Sequence, residues 1–132
     1  MNGQAPPPGA LDRQPPGAQN APMPVFKLFR APEWQAFEAE GRSAGAPIDL
    51  RDGFVHLSTA AQVEETARLH FAGVEGLMLV ALDEARLGPD LRWEPSRGGD
   101  LFPHLFRELR ASDVLWSAPL PLEDGRHVFP PP

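Results

Sequence analysis

An α+β fold is what this sequence predicts: one small domain with two main helices and five or six short strands. Three observations lead there. Apolar residues fall in short runs of strand length, some alternating with polar ones, as in VFKLFR at 25–30. Two stretches carry helix start and stop signals instead, one from Pro32 to Gly41 and one from Thr59 to near Gly73. The order of these segments lacks the regular strand–helix–strand alternation of a doubly wound parallel sheet.

In VFKLFR, Val25, Lys27 and Phe29 alternate with Phe26, Leu28 and Arg30, the period of two that marks a strand. Pro32 suits the first position of a helix, and Gly41 is a good stop after Trp34 and Phe37 have formed one face. Residues 41–53, GRSAGAPIDLRDG, read as a loop from their Gly, Pro and Asp content. FVHL at 54–57 is a short strand, with Phe54 and His56 on one face and Val55 and Leu57 on the other. Thr59 and Gln62 have the spacing of a capping box, so a helix is expected to open there, with Val63, Ala67 and His70 or Phe71 turned inward. His70 is therefore assigned a structural role.

LMLVAL at 77–82 is a continuous apolar run, expected as a central strand buried on both faces. The stretch 83–90 is a turn-rich connection, LRWE at 91–94 a strand, and PSRGGD at 95–100 a loop. LFPHLF at 101–106 must be extended, because the residue before Pro103 is pushed out of the helical region. The last strand spans 114–122, with Val114, Trp116, Ala118 and Leu120 expected on one side and prolines 119 and 121 suited to an edge.

The chain has 132 residues, enough for a single domain. Residues 1–24 hold seven of the 17 prolines, no aromatic residue and two charges, so a disordered Pro-rich tail is expected there, with the domain at 25–129. The tail has no basic start and no apolar run, unlike a signal peptide, and no segment approaches the length of a membrane span. Cysteine is absent, which removes disulfides, thiolate nucleophiles and Cys-based metal sites. A net charge of −6 argues against gripping nucleic acid through its phosphates. A cytoplasmic protein with a small-molecule or protein partner is expected; oligomeric state is left open.

Two segments could carry chemistry. In FVHLST a strand runs into a helix start, where Ser58, Thr59 and free backbone N–H groups could receive an anion or carbonyl and His56 could face a cleft. The competing assignment is a capped helix beside a core histidine. In WEPSRGGDLFPH, Glu94 ends a strand, Arg97 can meet a phosphate or carboxylate, Gly98 and Gly99 permit close approach of a ligand, and His104 returns beside a proline. Here the alternative is a surface hairpin with paired charges. The four histidines show no metal-ligand spacing, so no metal is expected. The Gly-x-Ser-x-Gly elbow of a serine hydrolase is missing.

Taken in order, the segments VFKLF, GAPIDLRDGFVHLST, LRWEPSRGGD and LFPHLF resemble a bacterial domain-of-unknown-function family. That family is marked by a Gly-Phe-Ile/Val-His-Leu-Ser-Thr block, a later Trp-Glu, and a Phe-Pro-His-Leu/Ile-Tyr block, and the resemblance covers nearly all of 25–129. It implies an ADP-ribosyltransferase-like fold: a small split β-sheet core whose cleft, in active members, holds NAD. It also implies roles. Glu94 would stabilise positive charge developing at the ribose C1′, His56 would orient the ribose, and Ser58 and Thr59 would form the strand-to-helix element. Arg97, with Gly98 and Gly99 beside it, would meet the diphosphate, and His104 would line the same cleft. Two departures stand out: the chain has no tyrosine to pack on the nicotinamide, and Phe106 stands where the family's last block has tyrosine. The expected ligand is NAD or a related nucleotide, with ADP-ribosyl transfer as the reaction. The alternative is a non-catalytic module on the same fold that recognises a metabolite or a protein. A shared site requires the fold to bring His56, Glu94 and His104 together.

Overall fold

The computed structural model describes residues 24–131. The tail expected over 1–24 lies, apart from Pro24, outside the described residues. In chain order the elements are β1 (Pro24–Phe29), α1 (Ala31–Glu40), β2 (Arg42–Ser43), α2 (Pro47–Asp52), β3 (Val55–His56), β4 (Ser58–Thr59) and α3 (Val63–His70). There follow β5 (Met78–Asp83), α4 (Glu84–Leu87), β6 (Leu91–Pro95), β7 (Leu101–Leu105), β8 (Leu109–Arg110), β9 (Val114–Pro119), β10 (Leu122–Glu123) and β11 (Arg126–His127). The α+β expectation holds, with α1 and α3 as the two longest helices.

The strands form separate sheets rather than one. A four-stranded sheet has the order β4-β1-β5-β9, and a three-stranded sheet the order β3-β7-β6; β2 pairs with β8 and β10 with β11. The segment FVHLST joins the two larger sheets. Val55 and His56 pair with Leu105 and His104, Leu57 donates its N–H to the Pro103 carbonyl, and then Ser58 and Thr59 pair with Phe26 and Val25. One short stretch thus changes sheets at Leu57.

β5 is the central strand, paired antiparallel with β1 and β9, and its residues 79–82 are buried as the apolar run requires. Alternation divides the core in two. Val25, Phe29, Val80 and Leu82 meet Val55 and Leu105 of the three-stranded sheet and Phe37 of α1. Phe26, Leu28, Leu79 and Ala81 pack on the opposite face against Val63 and Ala67 of α3. Helix α1 ends as expected at Gly41, whose φ of 75° is the left-handed cap that glycine takes readily.

Four expectations need correction. The stretch 41–53 is not all loop: Pro47 opens α2 and Gly53 closes it in a left-handed cap. The turn-rich connection 83–90 holds α4 and a 3-10 turn, with the Asp83 side chain accepting from the Ala85 N–H at 3.0 Å. Helix α3 begins at Val63, not at Thr59. Gln62 Oε1 accepts the Thr59 N–H at 3.0 Å, but no side chain caps the helix itself, so only half of the capping box forms. In β9 the register shifts: Leu82 faces Val114 and Ala81 faces Trp116, leaving Leu115 as an extra residue. Val114 therefore packs into the core between the sheets, while Trp116 lies edge-on to Phe26 with ring centroids 5.9 Å apart.

Candidate functional site

A cleft opens where β4 ends. That strand covers β1 only at Val25 and Phe26, so from Lys27 onward this edge of β1 has no strand partner among the described residues. A cavity of about 430 Å³ occupies the gap, bounded by β1, α2, the FVHLST segment, α3 and the Ser96–Arg97 turn. His56, Ser58, Arg97 and His104 line it, together with Phe26, Leu28, Ile48, Phe71 and Phe102. Thr59, Glu94, Gly98 and Gly99 do not.

The floor of the cleft is an ion cluster centred on Asp49, which is 1% exposed. Pro47 starts α2, and this places Asp49 at the third helical position, where its Oδ2 accepts the Ala46 N–H at 2.7 Å. The same carboxylate accepts from Lys27 Nζ at 2.7 Å, from the His56 N–H at 3.0 Å and from His56 Nδ1. Lys27, on the core face of β1, also reaches the His56 carbonyl at 3.3 Å. Burial alone would raise the Asp49 pKa. The His56 hydrogen bonds and the Lys27 charge outweigh that and hold it at about 2.

This cluster governs what His56 can do. Its Nδ1 meets Asp49 and its Nε2 lies 3.1 Å from Asp52 Oδ2, so both ring nitrogens are engaged by carboxylates. His56, expected to orient a ribose, thus presents to the cleft a ring whose two nitrogens both lie against carboxylates. The neighbouring Arg51 hydrogen bond holds Asp52 below the usual carboxylate range.

His104 sits directly across from His56 in the β3–β7 pairing. It is 5% exposed, stacked on Phe54 with centroids 4.1 Å apart and edge-on to His56 at 5.6 Å. Glu94, one strand further out, accepts from His104 Nδ1 at 2.8 Å. With Nδ1 donating to a carboxylate, a neutral ring carries its lone pair on Nε2, which has no partner among the described residues. The fold brings His56, Glu94 and His104 together, yet Glu94 stands behind His104 instead of facing the cleft.

The two hydroxyls also divide their work differently from expectation. Ser58 is buried and shares a 2.9 Å hydrogen bond with Thr66 Oγ1, which donates onward to the Gln62 carbonyl at 3.1 Å. Ser58 thus ties β4 to α3. Thr59 is half-buried and leaves the cleft to its neighbours. Arg97 lies over the Phe102 ring at 4.8 Å and makes long 3.4 Å contacts to Thr66 Oγ1. Gly98 and Gly99, both at positive φ, make the turn that aims it. His70 lines the cleft from an exposed position at the end of α3, in contrast to the inward placement expected; His127 donates from Nε2 to the Val74 carbonyl at 2.8 Å, a structural contact.

Asp49, Lys27 and Asp52 escaped sequence reasoning. The signals were present: a lysine in phase with Val25 and Phe29 on a core face, and Pro47 and Gly53 bracketing PIDLRD like helix ends. No group of three or more metal-ligating side chains is gathered among the described residues. No helix there is long and apolar enough to cross a membrane.

Comparison with known proteins adds a lineage. A family model described as "Protein of unknown function (DUF952)" matches residues 28–117. The crystal structure of protein CC0527 from Caulobacter crescentus is 45% identical, with a TM-score of 0.76, covering 80% of this chain and 93% of that one. The solution NMR structure of CC0527 is 44% identical, with a TM-score of 0.71, covering 80% of this chain and 90% of that one. No curated protein matches the chain.

Proposed function

This chain belongs to the DUF952 family, and on that premise we propose that it is an ADP-ribosyltransferase-like domain whose cleft binds NAD or a related nucleotide. The observation that carries the reading is convergence: His56, Ser58, Arg97 and His104, drawn from two separate segments, line one cavity of about 430 Å³. That volume is within the range of small-molecule sites. Its charge supports an anionic ligand. In a chain of net charge −6, Asp49 is the one carboxylate among the described lining residues, and Lys27 already neutralises it. Arg97 then meets a diphosphate, and Phe26, Leu28 and Ile48 supply apolar surface for a base in a chain without tyrosine.

If the domain transfers ADP-ribose, the roles differ from those implied by resemblance. Glu94 fixes the His104 ring through Nδ1, and His104 Nε2 is the acceptor available to a ribose or acceptor hydroxyl. One observation favours a non-catalytic binding module instead: neither Glu94 nor a free His56 nitrogen faces the cleft. Titration with NAD, ADP-ribose and nicotinamide, read by thermal shift, tests binding. A ligand at a hundredfold excess over its dissociation constant stabilises the fold by about 2.7 kcal/mol. NAD and ADP-ribose should raise the melting temperature, and release of nicotinamide with time separates transfer from binding. No shift with any of the three at saturating concentration overturns the proposal.

A further inference from the structure

We infer that Arg30 and Arg97 together form a clamp for a diphosphate or similar multiply charged anion. This deepens the nucleotide reading above and rests on the same cleft. Arg30 was not singled out by sequence, since it simply ends the β1 pattern, yet it lines the cavity with Arg97. The two come from different elements, Arg30 from the β1–α1 junction and Arg97 from the turn after β6.

Their settings are alike. The Arg30 guanidinium lies over the Phe71 ring at 4.6 Å and that of Arg97 over Phe102 at 4.8 Å. Stacking on a ring face holds a guanidinium in place while leaving its N–H edge available. Among the described residues neither is saturated by a carboxylate. Arg30 comes within 3.9 Å of Glu33, whose Oε1 instead receives the Arg30 backbone N–H, and among the described residues Arg97 has only its stacking on Phe102 and the long contacts to Thr66. Arginines that serve structure in this fold look different: Arg68 grips Glu65 with two bonds of 2.8 Å, and Arg107 grips Asp113 with two of 3.0 Å. The Glu65 charge near Arg97 is thus already held by Arg68.

Two forks with free donors facing one cavity match the oxygen array of linked phosphates, where each fork can bind in bidentate fashion. A single neutral ring such as nicotinamide would gain nothing from them.

The test is calorimetric titration of the full chain with inorganic pyrophosphate, ADP-ribose and nicotinamide, for wild type, R30Q, R97Q and the double variant, at low and moderate salt. Pyrophosphate should bind the wild type, each single substitution should weaken it about tenfold, and the double variant should lose it. Binding should weaken as salt rises. R30K and R97K, which keep the charge but lose the fork, should fall between wild type and Gln variants, and unchanged melting temperatures show that the fold is kept. Pyrophosphate that fails to bind, or binds the double variant as well as wild type, overturns the clamp. If ADP-ribose binds while the Arg substitutions change nothing, the nucleotide reading stands and the clamp falls. If pyrophosphate depends on both arginines and no nucleotide binds, the clamp stands and the nucleotide reading falls.

Discussion

At the scale of single residues, Asp49 does the most. It satisfies Lys27, the Ala46 N–H and His56 while almost completely removed from water. Replacing it with Asn keeps the shape but leaves Lys27 buried without a counter-charge, and such losses cost about 3–5 kcal/mol. Urea unfolding of Asp49→Asn should show a loss of that order; a loss well under 1 kcal/mol would mean that the lysine finds water or another partner. The same residue dictates acid behaviour. Its folded pKa of about 2 lies below the ordinary 3.8, so the unfolded chain binds the proton more readily. The stabilisation is therefore fully present above pH ~4 and is lost as pH falls towards 2, about 2 kcal/mol in all. Melting temperature followed from pH 5 down to 2 should fall in wild type and fall less in Asp49→Asn. Ser58 and Thr59 supply a second contrast. Ser58→Ala breaks the tie between β4 and α3 and should cost about 1 kcal/mol. Thr59→Ala removes a hydroxyl that caps no helix among the described residues and should stay within about 0.5 kcal/mol. The reverse order in chemical denaturation would restore Thr59 as the cap.

At the scale of elements, long and strongly patterned segments were legible and short ones were not. β1, α1 and β5 stand where alternation, Pro32 and Gly41, and the apolar run placed them. Helix α2 has only six residues, too few for a period of 3.6 to declare itself, and its Asp and Pro content looks like that of a loop. The bulge at Leu115 was hidden for a related reason: alternation reports a face only while the register is unbroken. The turn before α2 makes a sharp prediction. Gly45 has φ 99°, and a Cβ there would stand 2.1 Å from Asp49 Oδ2. Gly45→Ala thus combines backbone strain with a clash against the buried carboxylate, and should cost more than the ~1 kcal/mol of an ordinary glycine substitution at positive φ. A variant that unfolds at the wild-type urea midpoint would show that the turn can relax and that Asp49 is less tightly held.

At the scale of the whole molecule, the site follows from how FVHLST and WEPSRGGDLFPH are joined. The first segment leaves one sheet and enters the other at Leu57, and the second supplies the two strands that pair beside it, so His56 and His104 face each other. That each segment carries polar residues at a strand end beside a turn was legible in the sequence; that the two border one cleft was a condition on the fold, because about 40 residues separate them. Which atoms remain free for a ligand was not, because that depends on Asp49, Asp52 and Glu94 having claimed ring nitrogens from neighbouring elements. On the proposed function, this one cleft receives the nucleotide. The most direct measurement is backbone amide chemical-shift mapping by NMR during titration with ADP-ribose. Arg30, residues 56–58 and residues 96–104 should respond together with a single saturation curve. Shifts confined to other surfaces, or two segments saturating independently, would contradict it.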